Sequence, residues 1–188
     1  YHLPFILVSI LGAMIMSCQK QEGGFKALSA NHTGIHFANV LDSTKNFRVL
    51  YYFYYYNGGG VATGDINNDG LADIYFTANS RGGNRLYLNK GHMQFEDITT
   101  SAKVQGVSDW SSGATMVDIN GDGYLDIYVC SVNNVLDLKG NNALYLNNKN
   151  NTFTESSAAL GLNLSTFATQ AAFFDFDLDG DLDCFIIN

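Results

Sequence analysis

Asp65-Ile66-Asn67-Asn68-Asp69-Gly70-Leu71-Ala72-Asp73 is followed directly by an apolar run, Ile74-Tyr75-Phe76. The pattern returns as Asp118-Ile119-Asn120-Gly121-Asp122-Gly123-Tyr124-Leu125-Asp126, and again as Asp175-Phe176-Asp177-Leu178-Asp179-Gly180-Asp181-Leu182-Asp183. Oxygen-bearing side chains stand at positions 1, 3, 5 and 9 of each nonapeptide, with glycine at position 6. Alternating carboxylates on a tightly turning backbone can converge on one hard cation, and calcium takes about six to eight oxygen ligands at roughly 2.3–2.6 Å. Glycine at position 6 permits the sharp turn. Position 7 would contribute its backbone carbonyl, so its side chain is free to vary between Leu71, Tyr124 and Asp181.

Two other readings of these stretches compete. Asp, Asn and Gly favour ordinary solvated turns, but turn chemistry does not ask for an acid at both position 1 and position 9 three times over. An EF-hand needs a bidentate Glu at position 12 and flanking helices. Position 12 is Phe76, Val129 and Ile186, and the flanks read as strands. Asp73, Asp126 and Asp183 are therefore expected to complete the coordination.

Spreading outward, more than the nonapeptide repeats. The loops begin at 65, 118 and 175, a spacing of 53 and 57 residues, and periods of this length mark propellers, solenoids or arrays. Asn84-Arg85-Leu86-Tyr87-Leu88-Asn89 matches Asn142-Ala143-Leu144-Tyr145-Leu146-Asn147, and Phe95-Glu96-Asp97 matches Phe153-Thr154-Glu155. The second unit carries five extra residues, placed within Ser131–Asn141. Four short strands are predicted per unit: about Gly60–Gly64, Ala72–Thr77, Arg85–Asn89 and Gln94–Thr99, then Ala114–Val117, Leu125–Ser131, Ala143–Asn147 and Thr152–Glu155. Runs such as Ile127-Tyr128-Val129 lack strict alternation, as expected of strands covered on both faces. Gly58-Gly59-Gly60-Val61-Ala62-Thr63-Gly64 is small enough for backbones to crowd around a central axis. Four strands at this period make a β-propeller blade.

The order GGGVATGDINNDGLADIYF, NRLYLNKG, FEDIT and WSSGATMVDINGDGYLDIYV resembles the FG-GAP/VCBS repeats of integrin-α-type β-propellers, and within them the bacterial ASPIC/UnbV lipoproteins related to cartilage acidic protein. The resemblance runs over about residues 34–188. It implies an all-β, partial propeller of about two and a half four-stranded blades, with repeats at about 58–110, 111–167 and an incomplete 168–188. Such rings have about seven blades, so the chain is expected to be a fragment of a longer protein. It also implies calcium ligation by Asp65, Asn67, Asp69 and Asp73, and by their counterparts Asp118, Asn120, Asp122 and Asp126, and Asp175, Asp177, Asp179 and Asp183.

Charge agrees with such loops. Eleven of the 18 acidic residues lie in the three nonapeptides, and three divalent ions would offset six of the eight net negative charges. Without metal those carboxylates repel one another at neutral pH. An acidic chain with no basic run argues against a nucleic-acid partner. At 188 residues and 46% hydrophobic content the chain suffices for one core, and one proline with 19 glycines suits short strands and tight turns.

The first residues carry a separate message. Phe5–Met16 is apolar but shorter than the roughly 20 residues that span a bilayer, and it fits the core of a secretory signal. Ser17 before Cys18 resembles a bacterial lipoprotein signal, implying residues 1–17 as signal peptide, lipidation at Cys18, residues 18–33 as a tether, and an outer-membrane or other cell-envelope location. An ordinary signal peptide with an incidental cysteine is the alternative. No Lys or Arg precedes the run and the chain begins with Tyr1, from which a longer natural start is expected. Cys130 and Cys184 fall at different repeat positions and are expected to be buried free thiols.

Tyr51-Tyr52-Phe53-Tyr54-Tyr55-Tyr56 is either a sugar-stacking surface, since aromatic rings pair apolar faces with polar tips, or a strand or ring-closing piece, the reading its β-propensity favours. Trp110 and Phe167 each lie eight residues before a loop and are expected to pack between blades. His36 and His92 have no partners at zinc spacing. Neither a Gly-x-Ser-x-Gly elbow nor a phosphate-cradling loop occurs.

These readings converge on a non-enzymatic, calcium-stabilised binding propeller that recognises a glycan or a protein. A polysaccharide-acting enzyme is the alternative, and it would need two carboxylates about 5–9.5 Å apart. The acids outside the loops form no recognisable pair. A purely adhesive scaffold is a third reading.

Overall fold

Each nonapeptide joins two strands whose register is set at its ends. In the computed structural model, which describes residues 24–41 and 49–188, the residue before each loop pairs directly with the aspartate at position 9: Gly64 with Asp73, Val117 with Asp126, and Phe174 with Asp183. The chain then turns back and forth. β1 (Val61–Gly64), β2 (Asp73–Phe76), β3 (Arg85–Asn89) and β4 (Phe95–Asp97) form one antiparallel meander. β5 (Ser111–Val117), β6 (Asp126–Ser131), β7 (Ala143–Asn147) and β8 (Phe153–Glu155) form a second, and β9 (Gln170–Phe174) with β10 (Asp183–Ile187) a two-stranded third.

The sheets stack face to face, and β6 shows how. Its six residues are all buried. Ile127 and Val129 join Tyr75, Leu86 and Val104 in the core between the first and second sheets. Tyr128 and Cys130 join Ala168, Ala171 and Phe173 between the second and third. A strand that feeds two cores on alternate residues has no polar face to show, so its sequence cannot alternate. Cys130 and Cys184 are both free, as expected, but only Cys130 is buried in the second of these cores; Cys184 is half-buried and packs against it. Burial, with Cys184 nearby, pushes the Cys130 thiol up to about 12.

The first strands of the three sheets, β1, β5 and β9, approach closely where glycines replace side chains. A Cβ on Gly60 would lie 2.7 Å from the Ser112 carbonyl oxygen, and one on Gly113 would overlap the Thr169 carbonyl and the Gln170 side chain. Thr77 and Ser112 then act as bridges between sheets, the first donating to the Ser112 carbonyl (2.5 Å) and the second to that of Ala168 (2.6 Å). The outward face of the third sheet contrasts with its counterparts. Tyr75 and Tyr128 are fully buried, whereas Phe185 at the same repeat position is 60% exposed. Ile66 is 1% exposed and its counterpart Phe176 is 76% exposed.

Three sequence readings are corrected. Tyr51–Tyr56 is not a strand: Phe53–Tyr56 forms a 3-10 turn, which buries Tyr52 and Tyr55 beside Trp110 and exposes the aromatics between them. A spacing of three puts both rings on one side of such a turn. The fourth strand stops at Asp97, whose carboxylate accepts the Thr99 N–H (3.0 Å), and Thr99–Ala102 is a single helical turn (α2). The fifth strand begins at Ser111 rather than Ala114, through a register shift between them.

Ahead of the sheets, Ala30–Thr33 is a helical turn (α1) capped by Ser29. Phe37 stacks on Phe76 at 4.8 Å, and the His36 N–H donates to the Tyr87 hydroxyl (3.3 Å). The segment from residue 34 thus packs on the first sheet. Residues 1–17 and Cys18, read as signal and lipidation site, lie outside the described residues, as does the tether up to residue 23.

Candidate metal centre

Each nonapeptide folds back on itself through one pattern of hydrogen bonds. Asp65 accepts the N–H groups of Asp69 (3.1 Å) and Gly70 (2.7 Å), Asn67 accepts that of Asp69 (3.2 Å), and Asp69 accepts that of Leu71 (2.9 Å). Asp118 accepts from Asp122 (3.0 Å) and Gly123 (2.8 Å), Asn120 from Asp122 (3.1 Å), and Asp122 from Tyr124 (3.0 Å). In the third loop Asp175 accepts from Asp179 and Gly180 (both 3.1 Å), Asp177 from Asp179 (3.3 Å), and Asp179 from Asp181 (3.1 Å). Backbone donors thus pull the side-chain oxygens of positions 1, 3 and 5 toward the loop's inside. Asp175, Asp177 and Asp183 each bring an oxygen within 4.8 Å of the others. An oxygen-only donor set of this kind suits a hard cation.

Position 9 has a second task. The Asp73 carboxylate, fully buried, accepts the N–H of Ile66 (2.9 Å) on one oxygen and of Asn89 (2.7 Å) on the other. Asp126 repeats this with Ile119 (3.1 Å) and Asn147 (2.8 Å). Asp183 accepts from Phe176 (2.9 Å). Asp73 and Asp126 thus tie loop, second strand and third strand together, and Asp183 ties its loop to its second strand. Burial holds the Asp73 and Asp126 carboxyls above the usual carboxylate range, against the pull of those backbone donors and with the nearby loop acids adding to the rise. In the third loop, the hydrogen bond and charge of Asp179 raise Asp181, while the Asp181 N–H draws Asp179 down.

Sequence reading missed two features here. The residue at position 4 is left-handed in every loop: Asn68 (φ 60°), Gly121 (φ 68°) and Leu178 (φ 63°). Asn and Gly tolerate this, whereas Leu does so at about 1–2 kcal/mol. Leu178→Gly should therefore stabilise the protein by about 1 kcal/mol, since the leucine is exposed and little burial is lost. Urea unfolding measures it, and a lower midpoint would contradict the strain. The second feature is the asparagine closing the LYLN motif. Asn147 reaches the Ile66 carbonyl of the preceding loop (2.8 Å) as well as Leu125 (3.0 Å), and Asn68 reaches the Gly123 carbonyl (2.9 Å). The first two loops are strapped to each other. Repetition of LYLN was the available signal, but only the fold shows what its asparagine touches.

Four of the described acids outside the loops serve local structure. Asp109 pairs with Arg81 (2.9 Å), Glu96 with Lys90 (3.6 Å) and Asp97 with Arg85 (3.8 Å). Glu155 accepts the Ser157 N–H (3.0 Å).

Antiparallel four-stranded units, each carrying an acidic loop after its first strand, define a repeat class, and the chain belongs to the FG-GAP-like repeat family over residues 65–129 and 133–186. It is also similar to cartilage acidic protein 1 of Xenopus tropicalis, 41% identical over 68 residues, a stretch amounting to 36% of this chain and 10% of that relative. The chain spans about a tenth of that relative's length.

Proposed function

We propose that this chain is part of a calcium-stabilised β-propeller that acts as a binding module for a glycan or protein. The supporting observation is the same pattern of backbone-to-side-chain hydrogen bonds in three successive loops, with oxygens of Asp175, Asp177 and Asp183 within 4.8 Å of one another in the third. Positions 1, 3, 5 and 9 would supply carboxylate and amide oxygens, and Leu71, Tyr124 and Asp181 their carbonyls. The ion would neutralise the loop acids and lock the connection between inner and second strands. The open face of the third sheet, with Phe176 and Phe185 exposed where equivalent residues are buried, fits further blades of a ring of about seven. The apolar run ending at Ser17-Cys18 supports a lipid-anchored protein of the bacterial cell envelope, held to the membrane by that anchor alone. The role is binding rather than catalysis, in keeping with the local engagements of Asp97, Asp109, Glu96 and Glu155.

Extracellular calcium modules bind at about 10⁻⁴–10⁻³ M. At tenfold excess over Kd each site adds about 1.4 kcal/mol, so three loops together add about 4 kcal/mol. Chelation of the intact protein should therefore lower its melting temperature markedly. Calcium should restore it, and magnesium, with its stricter octahedral shell, should not. An unchanged melting temperature in chelator would overturn the calcium assignment.

A further inference from the structure

The metal loops follow the ends of β1, β5 and β9; at the starts of those strands lies a different site. A cleft of about 670 Å³ opens there, bounded by the turn that follows Tyr52. Trp110, 4% exposed, forms its floor and meets Tyr52 edge-on at 5.5 Å. Tyr54 and Phe167, 5.8 Å apart and tilted by 59°, form a wall, and Tyr54 is 55% exposed. The Asn57 side-chain amide is exposed and makes no hydrogen bond to other described residues. The Ser112 and Thr169 hydroxyls each donate to a backbone carbonyl and keep their lone pairs for an incoming donor.

In a chain with 18 acidic and 10 basic residues, none of the described residues that line this cleft is Asp, Glu, Lys, Arg or His. Its volume lies within the roughly 300–1,000 Å³ of small-ligand sites. Aromatic faces, amides and hydroxyls without charge match a molecule that carries apolar C–H faces and a rim of hydroxyls. We propose that the cleft binds a neutral saccharide, with Tyr54 and Phe167 stacking on sugar rings and Asn57, Ser112 and Thr169 meeting their hydroxyls. This rests on the binding-module reading and names its site and ligand class.

The test is calorimetric titration of the intact protein with neutral hexasaccharides of glucose, mannose, xylose and N-acetylglucosamine. Oligogalacturonate and an apolar peptide serve as comparators. At least one neutral hexasaccharide should bind, with equal affinity at pH 5 and pH 8, because none of the described residues lining the cleft carries a group that changes charge between them. Tyr54→Ala should weaken it at least fivefold without lowering the melting temperature, and Phe167→Ala likewise weaken it. Binding confined to the charged oligomer or the peptide, no binding at all, or affinity untouched by both variants would each overturn the proposal. A melting temperature that still falls on chelation while no neutral saccharide binds would sink the cleft alone and leave the calcium reading standing. Saccharide binding with no response to chelator would do the opposite.

Discussion

Asp126→Ala is expected to destabilise the protein by about 3–5 kcal/mol. The substitution orphans the Ile119 and Asn147 N–H groups, which point at the two carboxylate oxygens from 3.1 and 2.8 Å. Each unsatisfied buried donor costs about 1–3 kcal/mol, and the site is fully buried. Asp126→Asn separates this strut from the charge, because it keeps the shape and removes the titration. Burial raises the Asp126 carboxyl above its ordinary value. In chelator, then, the wild-type advantage over Asp126→Asn should be greatest below the unfolded value, about 3.9, and should shrink as pH rises through the raised folded value. With calcium present the sign reverses, since protonation competes with the ion, and the advantage should grow with pH. Urea titrations of both proteins from pH 4 to 7, with and without calcium, read this directly. The same slope in both buffers would exclude an ion at Asp126.

Asn142→Ala should cost about 3 kcal/mol, and Asn84→Ala about the same, although neither residue touches a loop. Asn142, 1% exposed, accepts the Ser131 N–H (2.9 Å) and donates to the Tyr128 hydroxyl (3.0 Å), which in turn donates to the Leu162 carbonyl (3.1 Å). Asn84 makes the same three links through the Ala78 N–H (2.9 Å), Tyr75 (3.0 Å) and the Val104 carbonyl (2.7 Å). Burial pushes the Tyr128 phenol up to about 12, so it stays a donor at any physiological pH. Truncation strands a buried N–H, leaves the phenol short of one partner and opens a void. A loss below about 1 kcal/mol in denaturant unfolding would show that water replaces the amide.

Strand placement was legible because each repeat checks the others. Arg85–Asn89 and Ala143–Asn147 match their predicted bounds, since LYLN recurs with the same flanks. Ser111–Ser112–Gly113 was missed because small polar residues carry little strand signal. Their extended form is imposed by the neighbouring sheets, through the Ser111 N–H to the Ala78 carbonyl (3.1 Å) and the Ser112 hydroxyl to Ala168. The aromatic run misled for a related reason. Its β-propensity is real, but burying Tyr52 and Tyr55 against Trp110 outweighs it. In the loops, positions 1, 3, 5, 6 and 9 could be read from chemistry. Position 4 could not, because Leu178 masks a left-handed backbone that Asn68 and Gly121 would betray. The pairing of Asn84 with Tyr75 and of Asn142 with Tyr128 was likewise hidden, as it depends on which side of a strand faces its neighbour.

The straps from Asn147 to Ile66 and from Asn68 to Gly123 have a mechanical consequence. Neighbouring corners of the stack cannot loosen one at a time: letting go of the first drags on the second. Whatever steadies the first corner therefore steadies the second too, and the two behave as one clasp rather than as a pair of independent ones.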